Sequence, residues 1–296
     1  MGSFTCASCG GTTARDWRAE RGWQIVRCER CGLLATWPRP DVATLSELYE
    51  SRDYYEQWMG TGVQQAWQSR ARQILSALPA VDGPLLDFGA GSGGLVRGLR
   101  DMGLEADGVE PSTAGRGLAR SLFEVDLMPS LEERSRRRYR AIILLHVLEH
   151  LPEPRADLEQ LRALLMPNGV VFIEVPHAGS AEMWLPSRRR AILDPPAHLH
   201  HFTPRTLRTL LESASYEVLD VRLFNVAPVE RILSWRAARR ESPDSVAGAG
   251  SEAVSRPRAT STRSAQAAWA KLLGALRSRV QGHIFQMIAT PVRRST

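Results

Sequence analysis

An apolar stretch that runs into a glycine-rich loop constrains the fold of this chain most strongly. Residues 84–95 read PLLDFGAGSGGL, a pattern typical of a buried strand, a tight loop and the start of a helix. Glycines at this point let the backbone approach a ligand at the carboxyl end of the first strand of a doubly wound sheet. Dinucleotide-binding proteins share the spacing Gly89-x-Gly91-x-Gly93, so the spacing alone leaves the ligand open.

Two acidic residues near this loop favour a cationic ligand that carries a ribose. Asp87 lies two residues before Gly89, and its carboxylate suits a positive charge better than a pyrophosphate. Glu110 lies 21 residues after Gly89, where a second strand is expected to end, and its carboxylate can accept hydrogen bonds from ribose hydroxyls. The alternatives are that Asp87 caps a helix and that Glu110 is a solvated strand end.

Strand and helix patterns alternate through residues 84–225, which predicts an α/β fold with a doubly wound, mostly parallel sheet. The strands are predicted at residues 85–88, 106–110, 141–147, 169–175 and 217–224. Thr203 before Pro204 predicts the start of a helix that ends near Ala214. Residues 41–79 are expected to be helical, with Asp41 as the first cap.

The four cysteines of the chain form two CxxC pairs, which predict a structural zinc ribbon in residues 1–40. The predicted ligands are Cys6, Cys9, Cys28 and Cys31. Each pair places two thiolates on a tight knuckle, and two knuckles supply the four ligands of tetrahedral zinc, which leaves no position for a substrate. Free thiols or a redox pair fit less well, because the cysteines are paired and neither pair follows a strand of a βαβ unit.

Positive charge is concentrated at the C-terminal end of the chain. Residues 231–296 hold 12 of the 38 basic and 3 of the 32 acidic residues, so this tail is +9 while residues 1–230 are −3. A nucleic-acid enzyme normally carries a basic face on its catalytic body, so a nucleic-acid partner is disfavoured. We expect a basic linker and an amphipathic C-terminal helix over residues 266–290. That helix suits either peripheral contact with an anionic membrane or docking on the protein itself.

No apolar run reaches the length of a membrane span, and the N-terminus lacks the pattern of a secretory signal. A cytoplasmic location is therefore expected.

The motifs in residues 80–225 resemble those of class I S-adenosylmethionine-dependent methyltransferases. LLDFGAGSGGL is similar to the first motif of that family, GVEPS (108–112) to the second, HVLEHLPEP (146–154) to the segment after the fourth strand, and MPNGVVFIEVP (166–176) to the fifth strand. The resemblance implies a Rossmann-like fold and the cofactor S-adenosyl-L-methionine. The residues that it places at the cofactor are Asp87, Gly89, Ala90, Gly91, Glu110, Pro111, Asp126 and His146. The seventh strand of the family is not evident after residue 225.

The N-terminal region is similar to bacterial methyltransferases of surface-glycan and natural-product clusters. The shared features are the paired CxxC knuckles, Cys31-Gly32, Pro38-Arg39-Pro40 and Tyr54-Tyr55. This resemblance implies a small-molecule acceptor such as a sugar, a glycan precursor or a secondary metabolite. An RNA methyltransferase and a non-catalytic binding protein that keeps the fold are the alternatives. The expected regions are a zinc ribbon (1–40), a helical connector (41–79), a methyltransferase domain (80–230) and the basic tail (231–296).

Histidines cluster after the fifth predicted strand, in the motif PPAHLHHFTP (195–204). His198, His200 and His201 are candidate bases for an acceptor hydroxyl, because the pKa of histidine lies near neutral pH. A capping or core role is the alternative for each of them. A histidine-rich metal site with Asp194 or Glu149 is not favoured, since few acidic residues lie nearby.

Overall fold

The computed structural model of this chain describes residues 3–50, 63–79, 82–134, 137–224 and 284–292. The N-terminal segment forms the antiparallel strands β1 (Ala14–Glu20), β2 (Trp23–Cys28) and β3 (Leu34–Thr36). The helices α1 (Val42–Glu50) and α2 (Val63–Ala77) follow. As predicted, Asp41 caps α1, since its carboxylate accepts a hydrogen bond of 2.8 Å from the Thr44 amide.

Six strands in the described part of the chain form a central sheet in the order β5-β4-β6-β7-β10-β9. Their bounds are β4 (Leu85–Phe88), β5 (Ala106–Val109), β6 (Tyr139–Leu145), β7 (Leu165–Pro176), β9 (Tyr216–Phe224) and β10 (Ile284–Pro291). The first four strands in this order are parallel, and β10 is antiparallel to both neighbours. The predicted α/β class and mostly parallel sheet are confirmed. Val109 at the end of β5 also forms an isolated parallel bridge with Met128.

Helices cover both faces of this sheet. They are α3 (Gly94–Arg100), α4 (Thr113–Phe123), α5 (Pro154–Ala163) and α7 (Pro204–Ser213). A further helix, α6 (Pro186–Leu193), packs in a separate small cluster with Met183. Thr203 begins α7 in a capping box with Thr206, as the Thr-Pro pair predicts. On one face α2 lies close to α3, because a Cβ on Gly94 would come within 2.2 Å of the Trp67 ring nitrogen.

The strand β10 corrects the expectation for the C-terminal region. The spacing of Ile284 and Met287 predicts the end of a helix, but these residues pair with β7 and β9 inside the sheet. A central strand is covered on both faces, and residues 284–289 are all buried. This run is apolar except for Gln286, and such a run fits a helical pattern as well as a strand. The remainder of the predicted linker and helix, over 231–283, lies outside the described residues, and so does Tyr54-Tyr55.

A second sheet joins the N-terminal region to the central domain. The short strand β8 (His200–His201) pairs with β3, so the order is β1-β2-β3-β8. Buried Cys6 and Leu33 belong to the same apolar cluster as Leu207 of α7. The ribbon is therefore packed against the domain that follows it, while the expected boundaries at residues 40, 79 and 230 stay predictions. In the residues described, none of the helices has the length and apolar character needed to span a membrane.

Candidate functional site

The loops after β4, β5 and β6 meet at one edge of the sheet and form a candidate ligand site. Gly89 has a φ of +77°, and its amide donates to the Val109 carbonyl oxygen at 2.8 Å. The Ala90 amide donates to the same oxygen at 2.9 Å. A Cβ at position 89 would lie 2.5 Å from a methyl carbon of Val147. Only glycine satisfies both the backbone angle and this close approach.

Glu110 follows β5 and holds the loop through its carboxylate. One oxygen accepts a hydrogen bond of 2.8 Å from the Gly91 amide, and the other accepts one of 2.9 Å from the Ser112 amide. The side chain is buried, whereas the neighbouring Pro111 is exposed. Each carboxylate oxygen has a second lone pair, so Glu110 can also accept hydrogen bonds from ligand hydroxyls.

Asp87 lies on β4 with 3% of its surface exposed. Burial and then the charge of Glu110 raise the pKa of Asp87 to about 8. A cationic ligand would offset both effects and stabilise the ionised carboxylate. The alternative interpretation of Asp87 as a helix cap is wrong, because the N-cap of α3 is Gly93 and no side chain caps it.

Asp126 does not join this group in the structure. Its side chain is 80% exposed and forms an ion pair with Arg120 of α4 at 2.6 Å. The residue lies two positions before Met128, which bridges to Val109 at the end of β5. Asp126 is therefore near the edge of the site but turned towards solvent.

His146 follows β6 and lies between two buried glutamates. Its Nδ1 is 3.4 Å from Glu149 and its Nε2 is 3.4 Å from Glu174. Burial lowers and these two carboxylates raise the pKa of His146, with a net rise to about 10. The backbone of His146 has a φ of +54°, which is uncommon for a residue other than glycine.

Glu174 extends this network to two other parts of the chain. Its carboxylate forms an ion pair with Arg70 of α2 and accepts a hydrogen bond of 2.6 Å from the Gln286 amide of β10. Burial raises and the cations His146 and Arg70 lower the pKa of Glu174, with a net fall to about 2. Sequence analysis did not predict this network. The available signal was a glutamate inside the apolar run of β7.

His150 and His198 lie against each other beside Glu149, with ring centroids 4.8 Å apart. Nδ1 of His150 is 2.9 Å from the Ala197 carbonyl oxygen, and Nδ1 of His198 is 2.9 Å from the Ile192 carbonyl oxygen. A carbonyl oxygen can only accept, so we assign the proton of each neutral ring to Nδ1. Both Nε2 atoms then carry a lone pair.

His200 and His201 point into the protein from β8, with 3% and 2% of their surface exposed. Nε2 of His200 is 3.1 Å from the Leu151 carbonyl oxygen, and Nε2 of His201 is 3.3 Å from the Thr36 hydroxyl. Burial and then the charge of Arg39 lower the pKa of His200 to about 4, and burial lowers the pKa of His201 well below its usual value. Of the three predicted bases, His198 is the one beside the ionisable residues of the site.

The four cysteine sulfurs converge, with all four atoms within 4.8 Å of one another. Sγ of Cys6 is 3.5 Å from Sγ of Cys31, and Sγ of Cys9 is 3.6 Å from Sγ of Cys28. Tetrahedral zinc with Zn–S bonds of about 2.3 Å would separate its sulfur ligands by about 3.8 Å. The hydrogen bond from Cys6 lowers the pKa of the Cys31 thiol to about 5. The spacing and the donor set therefore fit a zinc ion.

Comparisons with known proteins identify the family to which this chain is similar. The profile of a family described as methyltransferase domain matches residues 59–221. A stretch of 97 residues is 31% identical to the ubiquinone biosynthesis O-methyltransferase of Paraburkholderia phytofirmans. It covers 30% of this chain and 42% of that protein, so the chain spans less than half the length of the curated relative that it matches.

Two solved structures share the fold. A SAM-dependent methyltransferase from Archaeoglobus fulgidus has a TM-score of 0.51 at 17% identity, over 84% of this chain and 99% of that chain. A SAM-dependent methyltransferase from Thermotoga maritima, described as a possible histamine N-methyltransferase, has a TM-score of 0.51 at 16% identity, over 83% and 99%. At these identities the likeness shows the fold alone.

Proposed function

The chain belongs to the methyltransferase domain family, and from this premise we propose that it transfers a methyl group from S-adenosyl-L-methionine to a hydroxyl of a small molecule. The observation that carries the proposal is the pair of buried carboxyl groups, Asp87 and Glu110, beside the glycine loop at one sheet edge. S-adenosylmethionine combines positive charge with a ribose, which is the ligand chemistry that this pair favours. The methyltransferase assignment from the sequence is confirmed by the family match, while the acceptor class stays a prediction.

The residues of the loop have separate roles in this proposal. Asp87 faces the positive charge of the cofactor, and Glu110 accepts hydrogen bonds from its ribose. Gly89, Ala90, Gly91 and Pro111 form the backbone wall. When bound, S-adenosylmethionine supplies an electrophilic methyl group. His146 stays a candidate next to the cofactor, and so does Asp126, whose Oδ1 is paired with Arg120.

A hydroxyl acceptor is supported by the curated relative, which is named an O-methyltransferase. We place the acceptor at the group Glu149, His150 and His198, called here the acceptor cluster. It lies beside the glycine loop, because Val147 of the same turn is the side chain closest to a Cβ on Gly89. As the acceptor oxygen bonds to the methyl carbon, the carbon–sulfur bond breaks, S-adenosylhomocysteine leaves and the hydroxyl proton passes to the cluster. Sugars, glycan precursors and secondary metabolites are the proposed acceptors.

The cysteine site is proposed to hold one structural zinc ion on Cys6, Cys9, Cys28 and Cys31. Its role is to hold β3 in place. Because β3 pairs with β8, the ion would also position β8 and the segment before it.

A transfer assay with methyl-labelled S-adenosylmethionine tests the proposed function. The panel contains sugar nucleotides, simple phenols and total RNA. We expect label in a small hydroxylated acceptor, with one S-adenosylhomocysteine formed for each methyl group transferred. Label found in RNA alone would contradict the proposal and would support the RNA alternative.

Glu110→Ala is expected to weaken S-adenosylmethionine binding at least tenfold. The substitution removes an ionised acceptor, whose hydrogen bonds typically contribute about 1.5–3 kcal/mol each. It also frees the amides of Gly91 and Ser112, which Glu110 holds in place. Calorimetric titration measures the change. The control is Glu159→Ala on the exposed face of α5, where the carboxylate pairs with Arg155. Equal affinity in the two variants would remove Glu110 from the site.

Binding of S-adenosylmethionine at pH 7 is expected to release close to one proton from Asp87. With a pKa of about 8 this carboxyl is mostly protonated in the free protein, and a bound cation favours its ionised form. Affinity should therefore rise with pH up to about 8. Calorimetry in two buffers of different ionisation enthalpy counts the protons. Asp87→Asn should abolish the part of the release that belongs to this residue, and an unchanged count in that variant would contradict the role of Asp87.

A further inference from the structure

The acceptor cluster brings three metal-ligating side chains together. Glu149, His150 and His198 each offer one atom, and these atoms lie within 4.8 Å of one another. Glu149 and His150 come from the turn after β6, and His198 comes from the segment before β8. The cluster is separate from the cysteine site in both residues and donor atoms.

The carboxylate of Glu149 is buried without a hydrogen bond of normal length. Its exposed fraction is 1%, and neither oxygen accepts a hydrogen bond from the part of the chain that the structure describes. Its charged neighbour is His146, whose Nδ1 is 3.4 Å from one oxygen and whose Nε2 faces Glu174. Because that histidine is shared between two buried carboxylates, a metal ion at Glu149 would add charge compensation and a direct ligand bond.

The two histidines beside this carboxylate each keep a lone pair on one ring nitrogen. Their Nδ1 protons are held by the carbonyl oxygens of Ala197 and Ile192. Histidines that bind metals usually make this hydrogen bond, because it fixes the tautomer that leaves the other nitrogen free for the ion. Two such nitrogens and one carboxylate are all electron-pair donors, which is the set that a metal ion requires.

We propose that Glu149, His150 and His198 bind a divalent transition-metal ion. Imidazole ligands suit zinc, copper, iron or nickel, and the carboxylate also suits manganese, whereas magnesium and calcium prefer oxygen ligands alone.

Backbone hydrogen bonds hold the two halves of this site together. The carbonyl oxygen of Glu149 accepts from the amides of Leu199 at 2.8 Å and His200 at 3.1 Å. The Thr36 hydroxyl of β3 donates to the His198 carbonyl oxygen at 2.7 Å. The ligand set is therefore preformed, and the N-terminal sheet supports it.

The consequence for catalysis rests on the proposed function. Three protein ligands leave coordination positions open, as in catalytic metal sites. An acceptor hydroxyl on the ion would lie beside the glycine loop, and its pKa would fall, so that its proton leaves to water before the methyl transfer. His198 would then act as a ligand, and the ion would replace an imidazole base.

Cobalt titration of the full chain, stripped of metal under reducing conditions, tests the proposal. Dialysis should find two Co²⁺ per chain, and one of them should show a thiolate-to-cobalt charge-transfer band. Glu149→Gln and His198→Gln should weaken the second ion at least about tenfold and keep that band. The control His200→Gln, whose ring contacts Leu151 outside the cluster, should bind both ions. One ion in the native chain, or a second ion that survives in both cluster variants, would overturn the proposal.

A spectroscopic measurement on the native sequence makes the test independent of variant folding. Protein loaded with one zinc ion per chain, which the cysteine site takes up, and then given one Mn²⁺ should show coupling to two nitrogen atoms in pulsed electron paramagnetic resonance, and absence of that coupling would also refute the site. Calorimetry with S-adenosylhomocysteine on the same samples separates the two proposals. Cofactor binding without a second ion refutes the metal site alone, whereas a second ion without cofactor binding refutes the proposed function.

Discussion

The double substitution Cys6→Ser and Cys9→Ser is expected to remove the ribbon metal and at least about 100-fold of the methyl-transfer rate. Zinc binding contributes about 10–16 kcal/mol in small zinc domains, which is comparable with the whole stability of a domain, about 5–15 kcal/mol. The loss should spread beyond the ribbon, because β3 pairs with β8 and Cys6 packs in the main apolar cluster. His198 then loses its support from Thr36.

Metal analysis, turnover assays and hydrogen exchange together test this prediction. Exchange should increase most in β3 and β8 and least in β4, which belongs to the other sheet. Ser8→Ala is the matched control. Ser8 lies in the same knuckle, and its buried hydroxyl has no hydrogen-bond partner among the described residues, so this variant should keep the metal. A double cysteine variant with native turnover would show that the ribbon does not support the acceptor cluster.

His198→Ala is expected to cut turnover by about 10² to 10⁴ while the affinity for S-adenosylhomocysteine stays within about threefold. Turnover and cofactor affinity should respond differently, because His198 lies beside His150 and Glu149, whereas the cofactor is assigned to the loop after β4. The same effect is expected whether the imidazole takes the proton itself or ligates the proposed ion, since both roles act on the acceptor.

Alanine at His200 or His201 should instead lower the unfolding midpoint and reduce turnover less. Their buried rings bond to the Leu151 carbonyl oxygen and to the Thr36 hydroxyl of β3, and loss of such a bond typically costs about 1–3 kcal/mol. Turnover and thermal unfolding are measured on all three variants with the true acceptor. Near-native turnover in all three would contradict any role of these histidines in the reaction.

Local patterns in the sequence predict much of this fold. The strands β4, β6 and β7 follow from apolar runs, and the glycine loop follows from its spacing. The start of α7 follows from Thr203 and Pro204. Each of these features depends on neighbours within a few residues, and for that reason periodicity and capping rules identify them.

The strand β10 could not be predicted in the same way. It pairs with β7 and β9, and about 60 residues of chain separate it from β9. Whether Ile284 and Met287 belong to a helix or a strand is decided by those distant partners, which a local pattern does not contain.

The roles of the histidines on the acceptor side also depend on distant residues, which a local pattern does not contain. The sequence pattern places the catalytic candidates on three histidines within four residues, but β8 comprises only His200 and His201, and His198 lies before it. His198 reaches Glu149 and His150, while His200 and His201 pair with β3. The metal interpretation was disfavoured for lack of nearby acidic residues. Glu149 lies 49 positions before His198 in the sequence, and only the tertiary fold brings them together.

The most direct test of the central claim is a calorimetric titration of the native chain with S-adenosylhomocysteine and, separately, with NAD. The arrangement of Asp87, Glu110 and the glycine loop predicts one S-adenosylhomocysteine bound per chain and no measurable heat with NAD. Preferential binding of NAD, or no binding of S-adenosylhomocysteine by folded protein, would contradict the account.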